Sequence, residues 1–573
     1  MTIPTKPKPA GSYWSDDQWR AIALSGGDML VAAAAGSGKT AVLVERIIRK
    51  LTDREQPLSV ERLLVATFTK AAAAEMRGRI TEALEKELAK DPGNEYLNHQ
   101  LAMLGRASIT TLHSFCMEVI QRYYTLIPLD PGFRIASESE TALLRQEVLE
   151  ELLEDKYGSE PADSPFLKLV DLFGGERTDA AVFTLVQRLY DFSRSHPWPD
   201  HWLREASSSF MAPDLAALEK SAWVQSLLAD TKLALGGAIS LLTQAKALAL
   251  SPGGPEPYAV TLEDDLNVVR SLQEAVAGGA WASLYDAFQG VNFGKLKPVK
   301  KDQTDPEVQE RVKALREEAK KTVTDLRTQL YGRPAEAFLR EMHDMAPLLG
   351  ALSELVSEFG ERYRLQKVSK GWLDFSDLEH YCLQILRHPD SEPGELRPSD
   401  AALEYRRQFD EVLLDEYQDT NTVQETIVRL ISRENPGNRF MVGDVKQSIY
   451  RFRLAEPGLF LEKYRTYGDD FDGAGLRIDL ARNFRRRREV VDAVNLLFRQ
   501  IMNESVAEIS YDTRAELVYG EGFPPEGAED YRPELLLIDR DNGSSGGSDS
   551  SERGDNEWTD GDGGDEEDEA ALI

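Results

Sequence analysis

Residues 29–35 read MLVAAAA, an unbroken apolar run that ends at the knot Gly36-Ser37-Gly38-Lys39-Thr40. Beyond the knot the apolar positions fall three and four apart. A short continuous apolar run predicts a strand buried on both faces, and the longer spacing predicts a helix. The pattern recurs. Residues 62–69 predict a second strand followed by a helix over 71–79, and residues 108–113 predict a third running into a helix from Ser114. A short helix capped by Ser15 precedes the first strand. Alternating β and α elements of this kind predict an α/β fold with a doubly wound parallel sheet.

From Ser139 the period becomes helical for more than two hundred residues, with helices predicted over 143–153, 179–193, 213–250, 262–277, 306–330 and 334–368. Strand patterns return at 409–414, 438–443 and 476–480, and a last one at 534–538. We therefore expect one α/β domain built from 1–138 and 371–475, interrupted by an all-α insertion over 139–370. A second α/β domain is expected to begin at 476 and to run to 540. Residues 541–573, poor in apolar groups and rich in Gly, Ser and acid, are expected to be disordered.

Composition narrows the partners. The chain carries a formal charge of −31, of which the tail's twelve acids against one arginine supply −11. A basic exterior is excluded, so nucleic acid would have to be held by a local channel or by stacking on aromatics. The two cysteines, Cys116 and Cys382, have no metal-ligand spacing, which excludes a zinc module and a disulfide scaffold. With no apolar run of membrane-spanning length and no secretory h-region, an intracellular protein with no membrane partner is expected.

The knot after the first strand has the makings of a phosphate cradle: a strand, a tight turn with inward N–H groups, and a helix N-terminus. Against the strict pattern G-x-x-x-x-G-K-[ST], Ala33 replaces the first glycine, a change that costs little if its φ is negative. Ala33, Ala34, Ala35, Gly36, Ser37 and Gly38 would form the cradle. Lys39 would meet the β- and γ-phosphates, and Thr40 would offer its hydroxyl to Mg²⁺. Asp415 and Glu416, just after the strand at 409–414, supply the complementary pair. One carboxylate can hold Mg²⁺ and the other can take a proton from the attacking water.

Taken with these, the ordered stretches TFTKAAAAEM (67–76), TLHSFC (111–116), DEYQDTN (415–421), VGDVKQSIYRFR (442–453) and LARNFR (480–485) resemble the motifs of UvrD-like superfamily 1 DNA helicases. Several versions, with LDFSDL (373–378), look like those of the AddA helicase–nuclease chains of bacterial AddAB complexes. The resemblance implies a RecA-like P-loop NTPase domain with a helical insertion and the start of a second RecA-like domain, using ATP and Mg²⁺. It implies that Gln18 reads adenine and that Tyr450 lies on the nucleotide side. Gln447 and Arg485 would sense the γ-phosphate from opposite sides of an interdomain cleft, with Lys39 and Glu416 completing the catalytic set. Phe68, Thr69, His113, Phe452 and Arg453 would contact DNA.

The implied activity is 3′–5′ DNA unwinding in double-strand break repair. Implied partners are single-stranded DNA, duplex ends and an AddB-like protein in a heterodimer, in the bacterial cytoplasm at the nucleoid. The later helicase motifs and a nuclease domain are not found in the 573 residues, so nuclease activity is not expected of this chain. The alternative is an ATP- and strand-binding module without productive turnover. A P-loop ATPase acting on protein is a third reading, suggested by the acidic charge and opposed by the motif set.

Overall fold

Six of the apolar stretches form a single all-parallel sheet. In chain order its strands are β1 (Met29–Ala33), β2 (Leu63–Thr67), β3 (Ser108–Thr111), β4 (Glu411–Leu414), β5 (Arg439–Gly443) and β6 (Leu476–Leu480), arranged β3-β2-β4-β5-β1-β6. β1 lies inside the sheet, with Val31 in register with Val442 on one side and Ile478 on the other. The computed structural model describes residues 7–174, 178–300, 304–471, 473–520 and 533–536. The sheet and the helices around it belong to one compact unit, Met1–Phe523.

Strand residues alternate between two cores, as the period of two requires. Leu30, Leu64, Ala66, Val412, Leu414 and Met441 face the helices Leu112–Tyr123, Phe375–Leu386 and Thr422–Ile431. Met29, Val31, Val65, Leu413, Phe440 and Ile478 face Asp16–Ala23, Lys39–Leu51 and Lys70–Lys90. Because every strand points the same way, whatever follows Ala33, Thr67, Thr111, Leu414, Gly443 and Leu480 gathers along one edge of the sheet. Ligands of open α/β sheets bind at that edge.

One expectation is corrected. The strand at 476–480 was expected to open a second domain, but it pairs along its whole length with β1. Its apolar residues Leu476, Ile478 and Leu480 complete the first sheet's core. Sequence pattern alone cannot tell which sheet a buried strand joins. Beyond it, Arg482–Asn483 pairs with Val518–Tyr519 beside the helix Arg488–Ile501. In Pro524–Ile573 only residues 533–536 are described. They carry no strand, contrary to the strand expected over 534–538, and Leu535 and Leu536 are exposed. The tail 541–573 lies outside the described residues.

Between Glu138 and Ser369 the described chain is helical. Two separate cores lie within it. Leu149, Leu152, Val186, Leu355 and Phe359 belong to one, and Leu242, Leu262, Phe288, Val312 and Tyr331 to the other. The 35-residue helix Ala335–Ser369 joins them, with Ala335 and Met342 in the second core and Leu352, Phe359 and Tyr363 in the first. The predicted helix over 213–250 is interrupted: Leu215–Glu219 ends and Ala222–Ala249 begins afresh on a Ser221 cap.

Candidate active site

The phosphate loop leaves β1 as the sequence requires. Ala33 is the last residue of the strand and keeps extended backbone, so the missing glycine is not needed there. Gly36 and Gly38 take left-handed φ values of 71° and 81°. At Gly36 a Cβ would lie 2.8 Å from Asn483 Oδ1, so only glycine admits the neighbouring chain. That chain is the Asn483–Arg485 turn after β6. Asn483 Nδ2 donates to Ala35 O at 2.8 Å, and Phe484 N donates to Gly36 O at 2.9 Å. The buried Arg46 of the following helix clasps Glu411 at the start of β4 and donates to the carbonyls of Ala21 and Leu24, which fixes the helix under its loop.

Lys39 begins the helix, and its Nζ lies 3.1 Å from Glu416 Oε2, 377 positions away in sequence. Asp415 directly follows β4, its N–H bonded to Ala66 O on β2. Burial first, then the neighbouring Glu416 carboxylate, push Asp415 up to about 6, while Lys39 pulls the other way. Burial and Glu416 push Asp419 up to about 6 as well. Glu416 has φ 51°, a left-handed backbone that a glutamate adopts only under constraint. The constraint is visible: Tyr417 is buried and donates to Glu425, while Gln418 Nε2 donates to Glu416 Oε2 at 2.9 Å. The turn thus aims Glu416 at Lys39.

A magnesium–nucleotide fits this donor set. Thr40, Asp415 and Asp419 offer the hard oxygens that Mg²⁺ selects. Two buried atoms among the described residues lack a hydrogen-bond partner here, Ser37 Oγ in the loop and Asp419 Oδ1 beyond Glu416. Three carboxylates around one ammonium leave an uncompensated negative charge, which a divalent cation would relieve. No ready-made cluster of metal-ligating side chains stands among the described residues, so the phosphates themselves would have to complete the coordination.

Several expected residues sit differently. Gln18 is buried and fully employed. Its Oε1 accepts from Ser15 N in a capping box, and its Nε2 donates to Ser37 O at 2.9 Å, so it braces the phosphate loop. Gln447 follows β5 and donates to Asp444 Oδ2 at 2.8 Å. Arg485 follows β6 and is exposed, its Cβ 3.0 Å from where a Gly36 Cβ would stand. The two therefore flank β1 on the same sheet, not on opposite sides of an interdomain cleft. Tyr450 is also corrected. Its ring packs 4.7 Å from Phe68 and 5.8 Å from Phe452, on the aromatic side of the site.

Phe68 and Tyr450 line a cavity of about 760 Å³ whose wall also includes Thr69, His113, Phe375 and Arg453 together with Asp415, Glu416 and Asp419. Arg453 lies over both Tyr450 and Phe452. Phe452, Phe375 and Phe68 are exposed, an unusual state for large apolar rings in such number at one edge. Thr69 caps the helix Lys70–Lys90, its hydroxyl accepting from Ala72 N, so only its remaining surface faces the cavity. His113 packs edge-on against Phe375 and lies 3.3 Å from the buried Glu379, which also accepts from Gln424 Nε2.

Residues 14–468 match the sequence pattern of the UvrD/REP helicase N-terminal domain. The chain belongs to the UvrD/REP helicase family. Its relatives include the ATP-dependent helicase/nuclease A-chains of several bacilli. That of Geobacillus thermodenitrificans is 51% identical over 543 residues, 94% of this chain and 43% of the relative. The counterpart in Geobacillus kaustophilus is 50% identical over 542 residues, with the same shares. The one in Bacillus mycoides is 49% identical over 533 residues, 93% of this chain and 42% of the relative. The chain thus spans less than half the length of these relatives. Among the described residues no helix is long and apolar enough to cross a membrane.

Sequence reading missed four contributors, Asn483, Asp444, Gln418 and Phe375. Each stands inside a recognised stretch: LARNFR, VGDVKQSIYRFR, DEYQDTN and LDFSDL respectively. Each works by holding or extending a neighbour's position, which no spacing rule reveals.

Proposed function

We propose that the chain is the ATP-binding half of a motor that moves along single-stranded DNA, the N-terminal portion of an AddA-type helicase–nuclease in double-strand break repair. One observation carries the reading. The carboxylates that meet Lys39 and the exposed rings that suit unstacked bases line the same cavity. A change at the γ-phosphate therefore has a short route to the strand: through Glu416 and Gln418 to Asp444, whose N–H donates to Gln418 Oε1 at 3.0 Å, and on to Gln447 and Tyr450.

In this reading Lys39 binds the β- and γ-phosphates, and Glu416 holds the proton-accepting oxygen toward the attacking water. Asp415 and Thr40 hold Mg²⁺, which supplies charge neutralisation between the phosphates. Gln447 and Arg485 are the donors that sense the γ-phosphate. Phe68, Tyr450 and Phe452 stack bases, Arg453 and His113 supply cationic and polar contacts, and Gln18 sets the loop's shape. Stacking is sequence-tolerant because every base has a π-face, as a translocating motor needs. The relatives' names, which call each of them one chain of a helicase/nuclease, support a heterodimer of AddAB type in the bacterial cytoplasm.

The test is ATP hydrolysis by the purified chain with and without oligo-dT. Stimulation by the strand, lost in Phe68→Ala, is the expected outcome. Strand binding without any stimulation would instead make the chain a binding module, and absence of salt-sensitive strand binding would remove the DNA reading altogether.

A further inference from the structure

A second cleft, of about 430 Å³, opens between the helical insertion and the α/β body, and none of the candidate site residues lines it. The insertion contributes Trp198, Arg204 and Arg364 to its wall, and the body contributes Arg387. Arg194 lines both this cleft and the aromatic cavity, so the two are neighbours across a single side chain.

The cleft's charges are unevenly paired. Of its carboxylates, Asp377 is bound by Lys367 at 2.5 Å and by Arg194 at 3.4 Å, and Glu361 takes both oxygens to Arg364. Asp200 accepts from Ser357. Among the described residues, Arg387 and Arg204 have no carboxylate partner. Arg387 donates to Pro197 O at 3.2 Å and lies 4.8 Å over the Trp198 ring, and burial alone pulls its pKa down. A desolvated guanidinium without a counter-ion favours an anion. The backbone adds to this. Trp198, Pro199 and Asp200 form the start of the ten-residue helix Pro199–Ser208, whose N-terminal N–H groups carry no side-chain cap and which lines the cleft.

We propose that this cleft holds phosphodiesters of the same DNA strand whose bases occupy the aromatic cavity, with Arg387 and Arg204 as the phosphate ligands and Arg194 as the shared boundary. The inference rests on the strand-binding reading above. It makes the insertion part of the strand's track, and it places a positive site where the net charge of −31 offers few.

The experiment is a ladder of oligo-dT lengths titrated against the full chain and against Arg204→Ala and Arg387→Gln at two salt concentrations. The parent affinity should step up at the length that spans both cavities. Each variant should lose about fivefold in affinity for oligonucleotides beyond that step at ~0.1 M salt, with a salt slope shallower by about 0.7, the worth of one phosphate on a single strand. Short oligonucleotides should bind parent and variants alike. Arg204 is exposed on its helix, so its variant keeps the test sound if Arg387→Gln fails to fold. Long oligonucleotides that bind both variants as tightly as the parent would overturn the proposal while leaving the aromatic site intact. Inorganic tripolyphosphate that binds through Arg387 and Arg204, with no length step in oligo-dT, would overturn it in favour of a free anion. Failure of every length to bind the parent would defeat the strand reading itself, and this proposal with it.

Discussion

Two clusters of buried charge lie within this fold, and they are built on opposite principles. At the phosphate loop, Asp415, Glu416 and Asp419 surround a single ammonium, Lys39, and two of the three carboxyls are pushed up to about 6. At the root of the insertion, Lys367 Nζ sits 2.7 Å from Asp374 Oδ2 and 2.5 Å from Asp377 Oδ2. Tyr363 and Arg194 complete the set. There, against its burial, Asp374 is held down at about 2 by Lys367 and Arg194. The first cluster is short of positive charge and the second is balanced. An unbalanced site waits for a ligand, whereas a balanced one locks two structural blocks together.

The contrast yields measurements that would break or sharpen it. Glu416→Gln should give the largest effect, slowing ATP hydrolysis by roughly two to four orders of magnitude while ATP still binds. Parent-rate hydrolysis by this variant would remove Glu416 from the chemistry. Asp374→Ala should leave Lys367 buried with half its partners gone and destabilise the chain by about 3–5 kcal/mol in a denaturant titration. A change below about 1 kcal/mol would show that the root cluster is no lock. Lys39→Ala should weaken nucleotide binding by about 1.5–3 kcal/mol, yet shift the denaturation midpoint far less than Asp374→Ala does.

The smallest effect concerns His380, whose Nε2 lies 2.8 Å from Arg194 O. Burial, then the Arg194 charge, hold its pKa well below 6.5. The unfolded chain therefore takes up the proton first. Stability from this group is complete above about 6.5 and declines as pH falls toward the folded value, by at most about 1.4 kcal/mol per pH unit. Thermal melts between neutral and mildly acidic pH should show that slope in the parent and a flatter one in His380→Gln, which keeps a donor but cannot charge.

Much of the site was legible in the chain because its chemistry is local. A cradle needs Gly36 and Gly38 for backbone reasons, and Lys39 and Thr40 must follow at once, so five consecutive residues announce it. Asp415 and Glu416 were readable by their place after a strand. Gln18 and Tyr450 were misplaced for a common reason. Their roles depend on which neighbour a flexible side chain meets, and Ser37 and Phe68 are distant from them in sequence. Residues 476–480 were assigned to the wrong domain because an apolar strand has the same pattern whichever sheet receives it.

The sequence by itself determined the strand and helix periods, the phosphate loop and the family, since these rest on residues within a few positions of one another. Only the tertiary structure decided that β6 flanks β1, that Lys39 meets Glu416, that Tyr450 joins the aromatic wall, and that a basic cleft opens beside it. Those facts depend on strand order and on helix packing across hundreds of residues. Burial and charge pairing set them only once the chain has folded.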